Sequence, residues 1–76
     1  MKKKISKIKQ RWKGIFNYSR ELLILYCYAY TELQAREVFF NRLARKHGVS
    51  VYTVRQKFME DVDNFKITLE TEMREL

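Results

Sequence analysis

Proline is absent from this 76-residue chain, glycine occurs only twice, and cysteine, histidine and tryptophan once each. With no proline and no glycine-rich stretch, nothing resembles an interdomain linker. With 14% aromatic residues, the composition is not that of a disordered chain. A lone cysteine, Cys27, excludes an internal disulfide framework and a cysteine-rich zinc site; a small buried hydrophobe is its expected role. The longest apolar run, Leu22 to Tyr30, is far shorter than the roughly 20 residues that span a bilayer. Nor does the basic N-terminus make a signal peptide of that run, because Arg20 and Glu21 precede it and no small-residue cleavage site follows. There is no glycine-rich phosphate loop and no paired set of metal ligands, and His47 and Cys27 are not linked by any nucleophile pattern. The expectation is one small, soluble, cytoplasmic domain that is not an enzyme, with no cofactor and no metal. At this length only about 60–65% of the unfolded surface can be buried, which leaves no room for a deep cleft.

What the chain has is positive charge, unevenly placed. The formal net charge is +7. Lys2, Lys3, Lys4, Lys7, Lys9, Arg11 and Lys13 form a first block with no acid among them. Arg42, Arg45, Lys46, Arg55 and Lys57 form a second, again with no acid between residues 42 and 57. Residues 58–76 are acidic, with Glu60, Asp61, Asp63, Glu70, Glu72 and Glu75 against Lys66 and Arg74. Basic blocks free of carboxylates attract polyanions, either nucleic acid or an anionic membrane surface. Ile5, Ile8 and Trp12 form too short an apolar face for membrane binding, which is not expected.

Periodicity reads as helices throughout. Ile5, Ile8, Trp12 and Ile15/Phe16 sit at helical spacing, and Gly14 weakens the end of that segment. Asn17 or Ser19 can cap a second helix running to about Tyr30, apolar nearly all round and poor in β-branched residues, hence the expected central core helix. Tyr26, Tyr28 and Tyr30 could stack on bases, but in such a helix they would pack the core. Thr31 and Gln34 have capping-box spacing and open a third helix whose buried face is Val38/Phe39, Leu43 and Ala44, ended by His47-Gly48. Ser50 caps a fourth, with Val51, Val54, Phe58, Val62, Phe65, Leu69, Met73 and Leu76 near a 3.5-residue repeat; unbroken to the end it would span about 39 Å. Phe65, Ile67 and Leu69 also alternate with polar residues as in a strand, with Asp63-Asn64 as the turn before it. Helix is the favoured reading, since a lone strand would need a partner from a second copy. The predicted fold is therefore all-α, a small three- to four-helix domain. It divides into a basic arm or helix (residues 1–16), a helical core (17–62) and an acidic C-terminal helix (63–76).

Leu43 to Lys57 carries the functional signal. Ala44 is small, Gly48 follows four residues later, then the Val49-Ser50 pair, and Val54 stands six residues after the glycine. The stretch around residues 40–59 resembles the helix-turn-helix of bacterial and phage DNA-binding regulators. Ala44 would let the second helix cross closely, Gly48 would make the reversal, Val49 and Val54 would fill the angle, and Ser50 would cap the second helix. His47 departs from the pattern, which usually has an apolar residue there; a neutral, half-buried histidine at the helix end is expected. Lys57 departs likewise, with Phe58 supplying the packing. An αα-hairpin used only for packing has the same outline.

The resemblance implies that residues at about 50–60 enter the major groove. Ser50, Tyr52, Thr53, Arg55 and Gln56 would touch bases, and Arg42, Arg45, Lys46 and Lys57 would touch phosphates, joined by Lys2, Lys3 and Lys4 on a flexible arm. The expected function is sequence-specific binding of double-stranded DNA in transcription regulation. The small lysine-rich format is similar to regulators of phages and mobile elements. Phe65, Leu69, Met73 and Leu76 form a candidate homodimer seam. The alternative function is a protein-interaction module docking on RNA polymerase or another DNA-bound complex.

Overall fold

Strands β1 (Gln10–Tyr18) and β2 (Glu21–Ala29) form an antiparallel hairpin in which Trp12 faces Cys27 and Phe16 faces Leu23. Helices α1 (Glu32–His47) and α2 (Val51–Glu60) follow, then a 3₁₀ turn at Val62–Asn64 and strand β3 (Phe65–Leu69). The computed structural model, which describes residues 9–70, orders the sheet β2-β1-β3, with β3 antiparallel to β1 through Phe65 opposite Phe16 and Leu69 opposite Trp12. The fold is α+β: a three-stranded antiparallel sheet with two helices on one face. The expected all-α domain of three or four helices, with its helices at 5–16 and 17–30 and its long C-terminal helix, is corrected accordingly.

The hairpin wins over the helical reading because its two strands alternate. Trp12, Gly14, Phe16 and Tyr18 of β1 are buried, while Arg11 and Asn17 are exposed. On β2, Cys27 and Ala29 are buried, whereas Leu22, Ile24, Tyr26 and Tyr28 lie on the open side. The strands join through Ser19 and Arg20, both at positive φ (55° and 66°), the backbone of a two-residue type I′ turn. The segment expected to be a basic arm thus contributes residues 10–16 to the central strand. Lys2, Lys3 and Lys4 lie outside the described residues.

Other local expectations agree with the structure. Thr31 caps α1: its hydroxyl accepts from the Gln34 N–H (3.1 Å), the first half of a capping box, while Gln34 Oε1 accepts from the N–H of Tyr30, one residue before the cap (2.8 Å). At residues 65–69 the favoured helix is corrected to its strand alternative, and β1 of the same chain supplies the partner that a lone strand needs. Phe65 therefore faces the core and Leu69 the sheet rim instead of forming a helical seam; Met73 and Leu76 lie outside the described residues.

All five phenylalanines meet in one cluster. The Phe16 ring lies 5.5 Å from Phe39, 5.4 Å from Phe58 and 5.7 Å from Phe65, centroid to centroid, and Phe40 stacks on Phe58 at 5.7 Å. This cluster bonds the sheet to both helices; Phe16, Phe39, Phe40 and Phe58 are fully buried, each contributing about 1.5–3 kcal/mol, and Phe65 is partly buried against them. Gly14 makes room for it: a β-carbon there would stand 2.8 Å from the Phe39 ring. Trp12 closes one side, its indole N–H donating to the Ala29 carbonyl at 3.1 Å.

Candidate nucleic-acid interface

The corner between α1 and α2 is built by local chemistry. Gly48 takes the left-handed conformation (φ 68°, ψ 32°). The Val49 N–H donates to the Ala44 carbonyl (3.0 Å) and the Gly48 N–H to the Arg45 carbonyl (3.4 Å), a Schellman ending that satisfies carbonyls α1 would otherwise leave open. Ser50 caps α2 by accepting from the Thr53 N–H at 3.1 Å. Ala44 and Val54 are buried in the core. Val49 is not: it remains 39% exposed at the turn, and α2 enters the core through the fully buried Val54 and Phe58, with Val51 partly buried beside them.

The candidate base-contacting residues divide into two groups. Tyr52 (64% exposed), Thr53 and Gln56 project from the first turns of α2 into open space. Ser50 and Thr53 share a hydroxyl–hydroxyl hydrogen bond of 3.0 Å, so the Ser50 side chain is largely occupied with capping. Arg55 leans back toward α1, where its guanidinium forms an ion pair with Glu37; both side chains remain more than a third exposed. No acid interrupts α2 before Glu60.

The candidate phosphate-contacting residues also separate. Arg45 and Lys46 are exposed in the last turn of α1, beside the corner, where they complement the helix dipole as well. Arg42 points elsewhere: its Nη1 donates to the Tyr26 carbonyl at 2.6 Å, covering the outer edge of β2. Lys57 lies over the Tyr18 ring, 5.8 Å from its centroid, and His47 meets the same ring edge-on at 4.5 Å. His47 is half-buried, and its Nε2 has no hydrogen-bond partner, so it packs as an aromatic disc in the apolar position of the helix-turn-helix outline.

Sequence reasoning set one surface aside. Tyr26 and Tyr28, read as core residues of a helix, stand on the sheet face away from α1 and α2. Their period-two spacing, broken by the small residues Cys27 and Ala29, was the available signal. Cys27 itself is buried on the inner face as expected; burial pushes its thiol above the ordinary value, and the nearby Arg42 charge only partly offsets this. Among the described residues no cluster of three or more His, Cys, Asp or Glu could hold a metal, and no helix is long and apolar enough to cross a membrane. The chain matches no protein-family model, no curated protein and no solved structure, so its site rests on geometry alone.

Proposed function

We propose that the protein binds double-stranded DNA sequence-selectively, with the first turns of α2 in the major groove, as a regulator of transcription. The observation that carries this reading is the joint exposure of Tyr52, Thr53 and Gln56 on a capped helix flanked by Arg45 and Lys46, with no carboxylate on α2 before Glu60. Gln56 is the base reader: a glutamine amide matches the N6/N7 edge of adenine with two hydrogen bonds. Tyr52 and Thr53 meet a thymine methyl or a phosphate, and Arg45 and Lys46 hold the backbone and fix the register. Arg55 can exchange Glu37 for a guanine edge at small cost, because a half-exposed ion pair contributes no more than about 1 kcal/mol. Lys2, Lys3 and Lys4 add sequence-independent attraction to phosphates.

Binding selection from a random duplex pool tests this. A defined site should emerge. On it, Gln56→Ala should cost about 1–3 kcal/mol and relax one position of the sequence, while Lys46→Ala should weaken all duplexes alike. A pool that yields no preferred sequence, or the same site and affinity from both variants, refutes the groove assignment.

A further inference from the structure

The sheet's open face carries two parallel rows of complementary character. Tyr26 and Tyr28 occupy alternate positions on β2 and so leave the same face, and Tyr30 follows just beyond the strand's end, bordering a hollow beside α1. On β1, Lys13 lies opposite Tyr26 and Arg11 opposite Tyr28, and Lys9 precedes the strand by one residue. The rows touch: the Arg11 guanidinium lies 4.6 Å from the Tyr26 ring centroid, and Lys9 Nζ lies 5.7 Å from that of Tyr30. Lys66 of β3 adds a cation opposite Ile15. Tyr28 is 60% exposed, and Ile24 and Leu22 extend the apolar strip along β2. A face of large exposed rings marks a binding surface more often than a bare exterior.

The charge on this face selects its occupant. Among the described residues the carboxylates bordering this face are Glu70, 3.9 Å from Arg11, and Asp63, which shares a hollow with Ile15, Leu22 and Lys66; Lys9, Arg11, Lys13 and Lys66 outnumber them. A second copy laid face to face would oppose cation to cation. A ligand must instead offer a line of negative charge and, beside it, flat apolar surfaces. Single-stranded nucleic acid has both, whereas a duplex hides its base faces in the stack. Alternate strand residues stand about 6.7 Å apart, a spacing that lets neighbouring rings receive successive unstacked bases.

We propose that this face binds an extended single strand of nucleic acid, with Tyr26, Tyr28 and Tyr30 stacking on bases and Lys9, Arg11 and Lys13 holding phosphates. The helices cover the other face of the sheet, so this site stands or falls independently of the role proposed for α2. The test is fluorescence anisotropy of labelled oligothymidylate and oligouridylate of about 12 nucleotides, with a duplex of equal length alongside. The intact chain should bind single strands with affinity that drops steeply with salt. Tyr26→Ala/Tyr28→Ala should weaken single-strand binding about tenfold or more while leaving duplex affinity unchanged, and Tyr28→Phe, which keeps the ring, should bind like the parent. Preference for one oligonucleotide names DNA or RNA as the strand, and either supports the platform. Unchanged single-strand affinity in the double alanine variant overturns it. So does a parent dimer in sedimentation that the same variant dissociates, which would give the face to a second copy.

Discussion

At the scale of single residues, small side chains decide more than their size suggests. Gly14 reads in sequence as the weak end of a helix; in the structure it is the floor under Phe39. Gly14→Ala should destabilise the fold by about 1–3 kcal/mol through overpacking, measured by urea unfolding; a variant as stable as the parent would show that Phe39 can move aside. Cys27 gives a pH prediction. Its thiol value is raised in the folded state, so on alkalinisation the unfolded chain releases that proton first. The associated stability is complete below the ordinary thiol value of about 8.5 and is lost as pH rises toward the raised one. Melting temperatures of parent and Cys27→Ala should therefore converge or cross as pH rises above about 8.5, whereas parallel curves would contradict the burial effect.

At the scale of elements, legibility followed local chemistry. α1 was readable at both ends and α2 at its start, because these are written in side chains: Thr31 with Gln34, Gly48, and Ser50; the end of α2 at Glu60 was not, since the apolar repeat runs on past it through Val62, Phe65 and Leu69. The hairpin was not. Its turn, Ser19-Arg20, lacks the Asn-Gly or Asp-Gly signature of a type I′ turn, and β2 is apolar on both faces over much of its length, which hides the period of two. Gly14 at an inward position of β1 also removed one apolar residue from the alternation. β3 carries a strand's alternation, but helix is the favoured sequence reading there, because a partner strand is invisible as long as β1 reads as a helix. The turn makes its own prediction. Two non-glycine residues at positive φ carry strain of about 1 kcal/mol each or more, so Ser19→Asn/Arg20→Gly should raise the melting temperature, whereas a drop would mean the turn is held by contacts of the Arg20 side chain.

At the scale of the whole molecule, the corner between α1 and α2 sits on a sheet instead of in a helical bundle. The sheet serves the corner through Phe16, Phe58 and Phe65, which fix α2 and leave Tyr52, Thr53 and Gln56 outward. About half of the candidate site was visible in sequence: the outward face of α2 and the cations of the last α1 turn. Three-dimensional partners hid the rest. Glu37 engages Arg55 and the Tyr26 carbonyl engages Arg42, and both partners lie far away along the chain. The basic N-terminal block likewise changes meaning, since Lys9, Arg11 and Lys13 alternate along a strand beside tyrosines. The most direct measurement is amide chemical-shift mapping of the isotopically labelled chain titrated with its selected duplex. Shifts should concentrate at Arg45, Lys46, Tyr52, Thr53 and Gln56, and should reverse as salt is raised. Saturable duplex binding that leaves those five amides unmoved would contradict the assignment of α2 to the groove.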